Sequence, residues 1–256
     1  MSTSKINILG YSICSLAIPE LLIEIDSKFK TNEAVSIFCL NPHSYSVSLE
    51  DKEFGVALNN ATFLIPDGVG ISLASKILNP SEYMKKLPGP DFFDYFCSYE
   101  PFRNKKLNHF FLGSNKKTLE KLVQNVTNKY GINVCGTYSP PYVEEIDNET
   151  NRNIINIINN AKTDILWVGM TAPKQEKWIC KNFRSLNVKM SAGVGAVFDF
   201  QAGNIKRAPK FLITIGLEGY YRLLKEPRRL ASRAFVTDLI FVGHVLKEYF
   251  LRRFVK

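Results

Sequence analysis

The sequence has no closely spaced cysteine pair. Its five cysteines, Cys14, Cys39, Cys97, Cys135 and Cys180, are odd in number and widely separated. Neither CxxC redox chemistry nor a structural zinc knuckle can be built from them, and they read as reduced thiols of a cytosolic protein. Long apolar runs are also missing. The best stretch, Ala234 to Leu246, has 13 residues and contains Asp238 and His244, whereas a membrane span needs about 20 apolar residues. The opening MSTSKINILG lacks a basic region followed by an apolar run, so a secretion signal is not expected. HExxH, DxD, GxxxxGK[ST] and GxSxG are absent, which removes support for zinc hydrolases, metal-bridged nucleotide-sugar enzymes, P-loop enzymes and α/β-hydrolases. The dinucleotide fingerprint GxGxxG/A fails twice, because Gly68-Val69-Gly70 is followed by Leu73 at the sixth position and Gly193-Val194-Gly195 by Phe198.

What is present is an ordinary globular composition with an uneven charge. The 256 residues are 45% hydrophobic and 22% charged, with a net charge of +9. Such a chain is neither disordered nor low in complexity. From Asn204 to Lys256 there are 12 Lys and Arg against 4 acids, a net of +8, so the first 203 residues are almost neutral. The basic tail is interleaved with aromatics, among them Phe211, Tyr220, Tyr221, Phe235, Phe241, Tyr249, Phe250 and Phe254. This pattern suits an anionic membrane surface, a phosphate-bearing ligand or nucleic acid. A solvated basic face on a terminal helix is the plainer reading.

Short β-rich runs alternate with helix-length amphipathic segments. Strands are expected at Ile6–Ile13, Val35–Leu40, Thr62–Pro66, His109–Leu112, Asn133–Thr137, Ile165–Val168 and Lys189–Ala192. Helices are expected at Pro19–Phe29, Thr118–Tyr130, 144–160 and Lys174–Leu186. Continuously apolar strands such as ILWV fit a sheet covered on both faces. The alternation predicts a doubly wound, Rossmann-like α/β fold with a mostly parallel sheet. A catalytic body of residues 1–203 would carry a basic helical appendage of residues 204–256, with Gly203 and Pro209 at the boundary.

Ligands of open α/β sheets bind beyond the carboxyl ends of the strands, where helix N-termini offer free N–H groups. Asn41 follows the strand IFCL, Asp67-Gly68-Val69-Gly70 follows FLIP, Gly113 closes FFL, and Gly169 to Glu176 follows ILWV. Asp67 could be a helix N-cap or a general base facing a cleft. Pro173-Lys174-Gln175-Glu176 opens a helix. Glu176 suits the positive end of its dipole, and Lys174 or Gln175 could reach a phosphate or sugar. The three histidines, His43, His109 and His244, are not spaced as metal ligands, and His109 opens an apolar strand as a structural residue would.

Taken in order, the motifs resemble the WecG/TagA/CpsF family of bacterial glycosyltransferases. They are Leu40-Asn41, Ile65-Pro66-Asp67-Gly68-Val69-Gly70, Pro88-Gly89-Pro90-Asp91, Phe111-Leu112-Gly113, Pro173-Lys174-Gln175-Glu176, Gly193-Val194-Gly195, Arg207-Ala208-Pro209, and Gly216-Leu217-Glu218 with Tyr221-Arg222-Leu223 and Glu226-Pro227-Arg228-Arg229. The resemblance runs from about residue 6 to 235 and rests on the ordered set.

It implies inverting, metal-independent transfer of an N-acetylmannosamine-type or related hexose. The donor would be a UDP-sugar and the acceptor a polyprenyl-diphosphate-linked sugar at the cytoplasmic face of the bacterial plasma membrane, in synthesis of a cell-surface polysaccharide. The family's general base falls on Asp67. Its substrate contacts fall on Asn41, Gly68, Gly113, Gln175 and the arginines Arg222, Arg229 and Arg233. No metal or other cofactor and no nucleic-acid partner is implied, and a homo-oligomer is possible. The chain departs from the family pattern at Cys39, where threonine is usual, and at Lys85 or Lys86, where arginine is usual. On charge alone a UDP leaving group needs cations or helix N-termini when no metal is present, and the arginine-dense tail is the obvious source. Two other readings are a nucleotide- or nucleic-acid-binding module and an inactive peripheral membrane scaffold.

Overall fold

The computed structural model describes residues 4–143, 145–214, 218, 221 and 227–254. Among the described residues there are eight strands and twelve helices. They are β1 (Lys5–Ile8), β2 (Tyr11–Cys14), α1 (Ile18–Lys30), β3 (Val35–Leu40), α2 (Pro42–Glu50), α3 (Lys52–Asn59), β4 (Phe63–Pro66), α4 (Val69–Leu78), α5 (Gly89–Ser98), α6 (Glu100–Asn104), β5 (Asn108–Gly113), α7 (Lys116–Tyr130), β6 (Asn133–Tyr138), α8 (Asn148–Asn160), β7 (Ile165–Gly169), α9 (Lys174–Asn182), β8 (Met190–Gly193), α10 (Val197–Gln201), α11 (Lys210–Thr214) and α12 (Pro227–Phe254). Strands β3 to β8 form a six-stranded parallel sheet in the order β4-β3-β8-β7-β5-β6. The expected Rossmann-like α/β class is the observed one.

One expected strand is two. The run Ile6–Ile13 breaks at Leu9 and Gly10, both with positive φ (51° and 87°). Such a pair makes the tight turn of a hairpin, so β1 and β2 pair antiparallel as a separate two-stranded sheet. Several helices were not expected, and α2 shows why. Its sequence PHSYSVSLE buries Ser44, Tyr45, Ser46 and Ser48, three serines and one aromatic rather than an apolar stripe.

The chain folds as two compact units, residues 1–17, 39–88 and 207–256 in one and residues 18–38 and 89–206 in the other. The second unit is centred on an aromatic cluster. The ring of Trp167 of β7 lies 4.7 Å, centroid to centroid, from a tilted Phe93, with Phe92 and Phe96 of the same helix α5 around it. The Trp167 indole N–H donates to Nδ1 of His109 at 3.0 Å. Burial pulls that imidazole down to about 4, so it is neutral, and its proton sits on Nε2. His109 is structural, as expected.

In the first unit the basic carboxyl-terminal segment is tied in by pairing and packing. Arg207 makes a two-pronged ion pair with Glu218, Nε to Oε1 at 3.0 Å and Nη2 to Oε2 at 3.1 Å. Helix α12 packs on α2 and α4. Phe241 and Val245 are buried there. The Phe241 ring meets Tyr45 edge-on at 5.4 Å, the Tyr45 hydroxyl bonds Nδ1 of His244 at 2.7 Å, and Ser46 donates to the carbonyl of Thr237 at 2.8 Å. Near its far end Arg252 donates to the carbonyl of Leu78 and to Oδ1 of Asn79, just beyond α4.

Candidate active site

In the first unit β3 and β4 end side by side. The amide of Asp67 donates to the carbonyl of Leu40 at 2.8 Å, which brings the two exit residues Asn41 and Asp67 together. Asn41 is in extended conformation and caps α2, its Oδ1 accepting from the amide of Ser44 at 2.8 Å, with Pro42 at the first helical position. The other end of the same amide, Nδ2, donates to Oδ2 of Asp67 at 3.1 Å. Asn41 therefore caps one helix and orients the carboxylate of the next strand exit. Capping ties up its carbonyl oxygen, so the amide group has only a donor left for Asp67.

Asp67 is not the cap of α4. That position belongs to Gly68, whose φ of 86° and ψ of 167° suit glycine alone and which offers no side-chain cap. Helix α4 thus begins at a glycine that supplies no capping side chain, one residue after a carboxylate turned toward Asn41. The cap reading of Asp67 is overturned because the chain needs glycine to turn into α4. The loop that follows is tied to the same strand end. The amide of Leu87 donates to the carbonyl of Pro66 at 2.7 Å, and the ammonium of Lys86 donates to the carbonyl of Ile213.

The second unit presents the exits of β5, β7 and β8. Gly113 has φ of 114°, and a Cβ there would lie 2.6 Å from the carbonyl oxygen of Gly169. Glycine is required by backbone approach between two strands, and the amide of Ser114 donates to that carbonyl at 3.1 Å. Helix α9 follows the exit of β7. Gln175, expected as a substrate contact, is 4% exposed. Its Oε1 accepts from the amide of Gly195 at 3.0 Å, and its Nε2 donates to Oε1 of Glu176 at 2.8 Å. Lys174 donates to the carbonyl of Val143 at 2.6 Å. Glu176, in the first turn where an acid suits the positive end of the helix dipole, is 2% exposed. Burial pushes its carboxyl up to about 7. The signal for this was available: Glu176 lies three residues before Ile179 and falls on the buried stripe of α9.

Of the expected phosphate-binding arginines, Arg222 lies outside the described residues. Arg229 and Arg233 stand on the first two turns of α12 and are described as backbone only. Among the described residues no three His, Cys, Asp or Glu side chains are grouped as a metal would require, and no helix is long and apolar enough to cross a membrane.

Comparison with known proteins extends over the whole of this arrangement. The model of the glycosyl transferase WecG/TagA/CpsF family matches residues 6–254. An N-acetylglucosaminyldiphosphoundecaprenol N-acetyl-beta-D-mannosaminyltransferase of Bacillus subtilis (strain 168) is 32% identical over 197 residues, 75% of this chain and 72% of its own. The enzyme of the same description from Staphylococcus aureus (strain MW2) is 25% identical over 231 residues, 90% of this chain and 88% of its own. The Asn41–Asp67 pair, the Gly68 turn and the Gln175–Glu176 start of α9 all lie inside the matched span, and the chain belongs to the WecG/TagA/CpsF family of glycosyltransferases.

Proposed function

We propose that this glycosyltransferase moves an N-acetylmannosamine-type hexose from UDP to a polyprenyl-diphosphate-linked N-acetylglucosamine. The names of the relatives support this donor sugar and acceptor. Asp67 is the general base. It takes the proton of the acceptor hydroxyl as that oxygen bonds to the anomeric carbon and the bond to UDP breaks, so one displacement inverts the centre and no second carboxylate is needed. The observation that carries this reading is the Asn41–Asp67 contact. It holds a carboxylate at a strand exit, where open α/β sheets take their ligands, one residue before the Gly68 cap. Charge developing on the UDP diphosphate falls to cationic side chains of the carboxyl-terminal segment, Arg222, Arg229 and Arg233, with no metal required.

The protein works on the inner face of the bacterial plasma membrane, lying on it through α12. Leu239 and Phe250 on that helix are 59% and 54% exposed, with Val242 and Leu246 also open, beside the exposed Lys247 and Arg253. Apolar contact and attraction to anionic headgroups act together there. Because Phe241 and Val245 are buried, deleting residues 236–256 would open the unit as well as remove the surface. Replacing Leu239, Leu246 and Phe250 by Ser tests membrane contact cleanly: liposome binding should be lost and transfer to a water-soluble acceptor kept.

The decisive experiment on the chemistry is Asp67→Asn. The amide keeps an acceptor for Asn41 and removes the base. Turnover should fall about a hundredfold or more while affinity for the UDP-sugar stays nearly constant. Normal turnover in the folded variant would refute the assignment.

A further inference from the structure

The carboxyl of Glu176 is buried next to the exit of β8, and its Oε2 has no hydrogen-bond partner among the described residues. Its neighbours leave little freedom. The amide N–H of Gly195 can only donate, so the atom of Gln175 that faces it must be Oε1. Nε2 then faces Glu176, and the Glu176 oxygen that meets it, Oε1, must accept. In the neutral acid the proton therefore rests on Oε2. The chain of contacts ends in the backbone of the β8 exit: a Cβ at Gly193 would stand 3.4 Å from Oε1 of Glu176, and one at Gly195 would stand 3.7 Å from the Gln175 amide. Val194 closes the other side, its amide donating to the carbonyl of Val168 at 3.0 Å.

We propose that Glu176 is a positioning residue for glycosyl transfer: acting through Gln175, it fixes the backbone of the Gly193–Gly195 turn at the exit of β8. This rests on the glycosyl-transfer reading above and adds a residue to it. Stability does not account for a carboxyl at this place. A buried acid with one oxygen unmet costs free energy, and such a site is neutral or stabilising when both polar partners are replaced by apolar groups. What an apolar side chain cannot do is accept from Gln175 Nε2. Without that acceptor the Gln175 amide is free to turn, and the amide of Gly195 loses its fixed partner. Gln175 is likewise a positioning residue, since both ends of its amide are engaged inside the protein.

The test compares Glu176→Gln, which keeps an acceptor, with Glu176→Leu and the unbranched Glu176→Met, which do not. Three readouts are taken on the full chain: thermal unfolding, exchange of the Gly195 amide proton by NMR, and UDP release with UDP-N-acetylmannosamine and a short-chain polyprenyl-diphosphate-N-acetylglucosamine. The Leu and Met variants should still unfold cooperatively, though a stranded Gln175 donor costs some stability, and should exchange the Gly195 proton at least about tenfold faster and lose about tenfold or more in kcat. Glu176→Gln should restore both protection and turnover to within about threefold. Unchanged protection, or normal turnover in the Leu and Met variants, overturns the proposal, as does a Gln variant as impaired as Leu. If wild type itself releases no UDP with these substrates, the proposed reaction fails. Gly195 exchange still decides whether Glu176 holds the turn.

Discussion

Replacing Glu176 by Gln should change how stability depends on pH, and the structure sets the size of the effect. The carboxyl is 2% exposed, and burial raises it from 4.5 to about 7. Moving a carboxyl by that amount corresponds to about 3 kcal/mol of preference for the neutral form in the folded state. The sign follows from the direction. A group raised on folding contributes stability that is fully present below its unfolded value, near 4.5, and is lost as pH rises through about 7. Between pH 5 and pH 8 the wild-type protein should lose about 2 to 3 kcal/mol that the Gln variant keeps. Urea unfolding of both proteins at the two pH values measures this as a difference of differences, so other titrating groups cancel. Parallel losses in the two proteins would refute the reasoning, because they would mean that the carboxyl is as ionised in the folded chain as in the unfolded one.

Asn41→Asp should still cap α2 but set two carboxylates in contact, cutting kcat and moving the acid limb of its pH profile upward, since a like charge raises proton affinity; a profile unchanged from wild type would count against the contact. Gly113→Ala should destabilise by about 2–4 kcal/mol or prevent folding, because φ is 114° and the new Cβ would meet the Gly169 carbonyl at 2.6 Å; thermal unfolding reads it directly. Transfer should persist in excess EDTA, and a loss that manganese or magnesium restores would show that a metal rather than cations stabilises the diphosphate.

Much of the fold was legible because strand and helix periods differ and the strands ILWV and FFL are apolar throughout. The misses have local causes. Leu9-Gly10 turned one apparent strand into a hairpin, since the apolar residues on either side read as continuous. Helix α2 was invisible because its buried face is serine apart from Tyr45, with Ser46 bonded to Thr237 and Ser48 accepting from the Tyr11 hydroxyl at 2.7 Å. Asp67 stood out as a carboxylate at a strand exit, but that Gly68 rather than Asp67 occupies the cap of α4 depends on a backbone turn that residue types alone do not specify. That Gln175 turns inward could not be read from PKQE, because its partner Gly195 lies 20 residues away in sequence. The match to the glycosyltransferase family leaves the binding-module and scaffold readings without support.

Helix α12 is apolar on two sides. Phe241 and Val245 face α2, while Val236, Leu239, Val242, Leu246 and Phe250 face outward. From Val236 onward the charged groups that keep this helix soluble are few, Asp238, Lys247, Glu248, Arg252 and Arg253. Salt screens those charges within about 10 Å at 0.1 M and leaves the apolar area untouched. A purely basic tail lets go of surfaces as ionic strength rises. This one should become stickier, and the colloidal behaviour of the protein should worsen in the high-salt buffers commonly chosen to keep basic proteins apart.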